Sequence, residues 1–272
     1  MFVVCGEALF DVFDTGATPA GLALDARIGG SPFNVALGLA RLGQPVAFFG
    51  GVSRGFLGAR LMRALQDEGI GTGCVQRLDA PTTLSLVGVD AQGVPSYSFY
   101  GEGGADRALP LAAIDSVPDT TRALHLGSYA MVVEPVASAQ RALVERLRRR
   151  CLVAYDPNVR ANVEPSLDRW RDTIGWMAAR THLLKVSDED LQRLYPGVPH
   201  AQLAAGWRAA GVAAVVVTQG GEGARAYLHD GELAVPPVRT QVVDTVGAGD
   251  TFQAAMLAAL AERDALDPQA LH

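Results

Sequence analysis

A chain of 272 residues with 49% hydrophobic and 19% charged residues is long enough to bury the core of one large domain. Its formal net charge of −6 argues against a general nucleic-acid surface. No apolar run spans a bilayer and no charged-then-apolar leader opens the chain, which predicts a cytoplasmic protein with no membrane partner.

In chain order, Phe2–Cys5 predicts a strand. Gly29 and Gly30 precede a helix over about Pro32–Leu42, with Ser31 as N-cap, Pro32 at the first helical position and Gly43 as the stop. Val46–Phe49 predicts a strand, and Leu61, Met62 and Leu65 mark a helix around Gly58–Glu68. Ala123–Leu126 is a strand followed by a helix to Arg150, where the basic run from Arg146 suits a solvated C-terminal end. A strand Leu152–Tyr155 precedes a helix carrying Leu167, Trp170, Ile174 and Met177. The strand His182–Val186, the helices Asp188–Leu194 and Ala201–Ala210, and the strand Val212–Val217 complete the run. Short apolar strands separated by helices predict an α/β fold, a doubly wound, mainly parallel sheet covered on both faces.

Two stretches break the rhythm, about residues 8–28 and 82–101. In the second, Thr83–Val89 and Ser96–Tyr100 flank the polar turn Asp90-Ala91-Gln92-Gly93. Both predict a small β insert in a single domain spanning 1–272, serving as a lid, a homodimer contact, or both. Cys5, Cys74 and Cys151 lack CxxC spacing, so neither a disulfide framework nor a zinc site is expected. His125 and His182 lie in strand-like runs and read as packed residues.

Ligands bind outside the carboxyl ends of strands in open parallel sheets. Polar groups predicted there are Glu7 and Asp11, then Asp156, Asn158 and Arg160, then Lys185, Ser187 and Asp190, then Thr218, Gly220, Gly221 and Gly223. Lys185 is the only lysine of the chain. Carboxylates and an amide suit a polyhydroxylated substrate, whereas cationic groups and glycine amides suit phosphates. The most informative segment is Asp244-Thr245-Val246-Gly247-Ala248-Gly249-Asp250-Thr251. It runs into a helix with Phe252, Ala255, Met256, Ala259 and Leu260 at helical period. Bare amides at a helix N-terminus attract anions, and Asp250 falls in that first turn, where phosphoryl transfer needs a proton acceptor. No Gly-x4-Gly-Lys-Ser/Thr loop, dinucleotide fingerprint or Gly-x-Ser-x-Gly elbow is present.

The segment Asp244–Phe252 resembles the C-terminal signature of the ribokinase-like (PfkB) carbohydrate kinases, and Gly29–Gly43 resembles their N-terminal signature. Gly6–Asp11, Asp156-Pro157-Asn158-Val159-Arg160, Tyr97–Tyr100, Ala105-Asp106-Arg107 and Lys185–Asp190 are most similar to the fructokinase subgroup. The resemblance implies an ATP-dependent kinase of a sugar hydroxyl, with fructose as the leading acceptor. Other acceptors are 2-keto-3-deoxygluconate, ribose or a nucleoside, and a non-catalytic sugar-binding regulator is the rival from another class.

The same resemblance implies roles for matching positions. Asp250 is the base, and Gly247, Ala248 and Gly249 form the anion hole. Asp11, Gly30, Asn34, Phe99 and Arg160 hold the sugar. Lys185, Ser187, Thr218, Gly220 and Gly223 line the nucleotide phosphates. Glu189 and Asp190 place hydrated Mg²⁺, and Asp244 and Val246 match the position of a monovalent cation such as K⁺. The chain departs from the family pattern at Asp190, where glutamate is usual, and at Gln253, where the helix is usually apolar. It also stops soon after the signature helix, so Asp267–Leu271 resembles the start of a further segment and suggests a truncated chain.

Overall fold

The computed structural model describes residues 1–89, 95–238, 240–242 and 244–267. The turn expected at Asp90–Gly93, and residues 268–271 of the expected C-terminal segment, lie outside them.

Thirteen strands and seven α-helices are described. The strands are β1 Phe2–Cys5, β2 Leu9–Thr18, β3 Gly21–Gly29, β4 Val46–Ser53, β5 Val75–Leu78, β6 Leu84–Val89, β7 Pro95–Tyr100, β8 Ala123–Gly127, β9 Leu152–Asp156, β10 Leu183–Ser187, β11 Ala214–Thr218, β12 Ala224–Leu228 and β13 Gly231–Val235. The helices are α1 Ser31–Arg41, α2 Phe56–Asp67, α3 Val136–Leu147, α4 Leu167–Ala178, α5 Asp188–Leu194, α6 His200–Ala210 and α7 Ala248–Glu262.

Nine strands form one sheet in the order β13-β12-β11-β10-β9-β8-β1-β4-β5. Pairing is parallel from β11 to β5, and only β12 and β13 run antiparallel at one edge. β1 is apolar and fully buried because it lies between β8 and β4. The chain leaves β1 toward β4 and later returns to β8 on the other side. The carboxyl ends of β1 and β8 therefore flank the crevice where such sheets bind ligands. The two edge strands were not anticipated, because β12 is only partly buried and β13 is exposed throughout, so neither carries a continuous buried-strand pattern.

Both rhythm-breaking stretches form a second, four-stranded sheet, β3-β2-β6-β7. Its register sets Asp11 beside Ser85, and Ser85 beside Phe99. Cross-strand neighbours present side chains to the same face, so Asp11 and Phe99 share one row.

Helix α1 begins one residue earlier than expected. Gly30 is its N-cap at φ 104, and Ser31 is its first residue with no side-chain cap bond. The expected cap is thus corrected, and the serine hydroxyl is used elsewhere. Gly43 closes the turn at φ 74, a conformation that suits glycine. Helix α3 ends at Leu147, before the arginine run closes. Arg146 is not a solvated helix end, because its guanidinium donates to the carbonyls of Ile114 and Val117.

Helices α1 and α7 pack closely over Gly38. A β-carbon there would stand 2.6 Å from the Ala254 methyl, so one helix must move. We expect Gly38→Ala to destabilise the fold by about 1–3 kcal/mol through overpacking. Urea unfolding checks this, and an unchanged midpoint would show that the helix pair yields freely.

Candidate active site

Helix α7 starts from Gly247, which adopts φ 75 and ψ 3, the left-handed region where a β-carbon is penalised. This turn brings Asp250 to the helix N-terminus, buried at 8% exposure. Ser31 donates to its Oδ1 at 2.6 Å and Asn34 donates to its Oδ2 at 2.8 Å. Both donors lie on the first turn of α1, three residues apart, so one helix face grips both oxygens. Burial raises the Asp250 carboxyl above its ordinary range, with the two donors and Lys185 opposing and Asp156 adding. A raised carboxyl stands nearer the range useful to a base at neutral pH.

The amides beside it are unequal. Ala248 N–H donates to the Thr245 carbonyl at 3.1 Å, and Thr251 N–H donates to Gly247. Among the described residues the amides of Gly247, Gly249 and Asp250 have no such acceptor. The free donors at this corner among the described residues are therefore Gly247, Gly249 and Asp250; of the expected Gly247, Ala248 and Gly249 set, only Ala248 is engaged within the turn.

Lys185 enters the same corner from β10. Its Nζ lies 3.1 Å from where a Gly249 β-carbon would stand. It donates to Asp156 Oδ2 at 2.7 Å, and both side chains are buried. The pairing follows from register, since β9 sets Tyr155 opposite Leu184. Asp156 Oδ1 has no partner among the described residues. Behind this pair, Gln253 Nε2 lies 3.4 Å from His125 Nδ1. Burial drives the imidazole down to about 4, so it is neutral and packed. The polar substitution in the signature helix thus meets a polar partner in β8. Sequence reasoning named neither the Ser31–Asp250 bond nor this contact. The spacing of Ser31 and Asn34 was the one signal for the former.

The positions expected to line the nucleotide lie at the ends of β10 and β11. Ser187 caps α5 by accepting from Asp190 N–H at 3.1 Å. Asp190 turns inward and accepts from Val159 N–H at 3.2 Å. Burial and Asp156 push its carboxyl up to about 6, whereas Glu189 is exposed. The two carboxylates therefore do not form a matched pair, and no cluster of three metal-ligating side chains occurs among the described residues. Thr218 ends β11 opposite Ser187, and Gly220 and Gly223 bracket a single 3-10 turn at φ 51 and 92. Asp244 Oδ1 accepts from Val246 N–H at 2.9 Å, closing an exposed turn.

Among the positions expected to hold sugar, a β-carbon on Gly30 would stand 2.7 Å from the Glu7 carbonyl. Burial pushes the half-buried Asp11 carboxyl up, with Ser85 and Arg160 opposing. Arg160 bonds only backbone carbonyls, those of Asn158 and Val159. Glu164 pairs instead with Arg169, and the Arg160 charge opposes the upward shifts of the Asp11, Glu7 and Asp190 carboxyls.

Glu7 is fully enclosed, and its Oε2 has no partner among the described residues. Burial lifts its carboxyl from the usual 4.5 to about 8, so the native state holds a proton that the unfolded chain releases. Its stabilising contribution is complete below about 4.5 and is lost as pH rises through about 8. We expect stability to fall more steeply between pH 5 and 8 in the wild type than in Glu7→Gln. Urea midpoints at several pH values check this, and parallel slopes would refute it.

A buried carboxylate beside free helix-end amides, on an α/β sheet of this topology, suits a phosphotransferase-type site. The pfkB family carbohydrate kinase model matches residues 3–268. The chain belongs to that family and is an ATP-dependent carbohydrate kinase. It is 36% identical over 260 residues to a fructokinase of Rhizobium leguminosarum bv. trifolii, covering 96% of this chain and 79% of that one. The Xylella fastidiosa fructokinase with bound ATP superposes with TM-score 0.87 at 25% identity, covering 99% and 84% of the two chains. A Vibrio cholerae fructokinase double mutant bound to fructose, ADP and potassium ion gives TM-score 0.83 at 25% identity, covering 99% and 88%. These similarities bear out the expected ribokinase-like fold. No helix of the described residues is long and apolar enough to cross a membrane.

Proposed function

We propose that the chain is a single kinase domain that transfers the γ-phosphoryl of ATP to a hydroxyl of fructose, acting in the cytoplasm. The Asp250 carboxylate, held by Ser31 and Asn34 beside the Gly249 and Asp250 amides, carries this reading. The acceptor hydroxyl gives its proton to Asp250 as its oxygen bonds to phosphorus. The bond to the ADP oxygen breaks, and the helix-end amides face the charge on the transferring group. Lys185, next to Gly249, adds a cation there, and Ser187, Thr218, Gly220 and Gly223 border the phosphates. Asp11, Gly30, Asn34, Phe99 and Arg160 surround the sugar.

The second sheet, from about 8–28 and 82–101, acts as the lid over that sugar. Its closure excludes water, and its outer face, with Leu22 and Leu24 exposed, suits a homodimer contact. The three cysteines are free and buried, in keeping with a reducing compartment. Glu189 and Asp190, the expected positions for hydrated Mg²⁺, do not converge; the Asp156 Oδ1, unpartnered among the described residues, is the oxygen left for it, and magnesium binds through few carboxylates and several waters. Bound Mg²⁺ neutralises phosphate charge. Asp244 and the Val246 backbone are the positions for K⁺.

An ADP-release assay with fructose, glucose, ribose and 2-keto-3-deoxygluconate tests the acceptor. Fructose should give the highest kcat/KM. Preference for the acid sugar would shift the assignment to Arg160, and binding without turnover would favour a regulator.

A further inference from the structure

The chain passes between the nine-stranded sheet and the second sheet four times, after β1, after β3, after β5 and after β7. Asp106 lies in the last passage and Thr83 in the third. Thr83 Oγ1 donates to Asp106 Oδ1 at 2.5 Å, and Tyr129 Oη, just beyond β8, donates to Oδ2 at 2.7 Å. All three side chains are buried. Backbone bonds tighten the same junction, from Ala105 N–H to the Pro81 carbonyl at 2.9 Å and from Phe10 N–H to the Thr83 carbonyl at 3.2 Å.

The junction also fixes an aromatic wall. Phe99 of β7 meets the Tyr129 ring edge-on at 5.5 Å. The Arg107 guanidinium lies 5.1 Å from the Phe99 centroid and 5.4 Å from that of Tyr129, a cation–π arrangement. There is no slack around it. A β-carbon on Gly101 would stand 2.5 Å from the Phe99 ring and 2.8 Å from Arg107 Nη2. One on Gly104 would stand 2.4 Å from Thr83 Oγ1.

We infer that Asp106 is a positioning residue, a latch whose two oxygens tie the lid strand β6 to the β8 rim and so hold Phe99 in place over the sugar. This rests on the kinase reading above. A carboxylate suits the task because it accepts on both oxygens without needing a donor of its own. Phe99 shares its row with Asp11, so loosening the latch moves an expected sugar contact while leaving Asp250 and the helix-end amides untouched.

Thr83→Val removes one donor and keeps the shape, whereas Thr83→Ser keeps the hydroxyl. With wild type, both go through the sugar-kinase assay and amide hydrogen exchange. We expect Thr83→Val to raise the sugar KM about tenfold, equivalent to about 1.4 kcal/mol, with kcat and the ATP KM changed much less. Exchange should quicken in β6 and β7 but not in β8 and β9, and Thr83→Ser should restore both. Unchanged sugar KM with unchanged lid exchange would overturn the latch, as would uniform quickening across the fold. A wild type that phosphorylates no sugar would instead defeat the kinase reading, and the exchange pattern alone would then decide the latch.

Discussion

Asp250→Asn should lower kcat by about 10²–10⁴-fold, the usual loss when a general base is removed, with sugar KM changed much less. The substitution keeps size and shape. Its amide can turn its oxygen toward Asn34 Nδ2 and its nitrogen toward Ser31 Oγ, the two partners of the native carboxylate. The corner therefore stays assembled, and the loss reads the missing proton acceptor rather than a broken fold. Single-turnover and steady-state ADP release measure it. A kcat within a few-fold of wild type would assign the proton to another group.

Lys185→Met should have the largest effect on stability, about 3–5 kcal/mol, the range for breaking one side of a buried ion pair. Its ammonium is the 2.7 Å partner of Asp156 Oδ2. Removing it leaves a buried carboxylate whose other oxygen already lacks a partner among the described residues. The Lys185 charge opposes the upward shift of Asp250, so that carboxyl should rise further in the variant. Denaturant unfolding checks the energy. Adding Asp156→Leu should recover part of the loss, because replacing both partners removes the stranded charge. A single variant as stable as wild type would show that water reaches Asp156.

Much of the architecture was legible because it depends on local pattern. Strands such as Phe2–Cys5 and helices such as Asp188–Leu194 announce themselves by apolar runs, caps and turns. So did the place of Asp250, since Gly247 must adopt a left-handed turn just before it. What stayed hidden depends on distant meetings. Ser31 looks like a cap in its own helix, yet its hydroxyl serves a carboxylate 219 residues away. Asp106 is legible only as part of the Ala105-Asp106-Arg107 resemblance, yet it joins two passages of the chain to Tyr129. Glu189 and Asp190 read as a pair because adjacency in sequence says nothing about which side of a helix end faces water.

The grip of Ser31 on Asp250 has a consequence for biosynthesis. Helix α1 leaves the ribosome early, with Ala36 and Leu39 on a face that is fully buried in the finished protein, partly beneath α7. The covering helix α7 follows only after all thirteen described strands. Until α7 is made, that apolar strip lacks this cover and Asp250, the proposed proton acceptor, is absent, so a nascent kinase is inert and sticky. Chaperone engagement should concentrate on this strip, and catalytic power should arrive abruptly when α7 docks on α1.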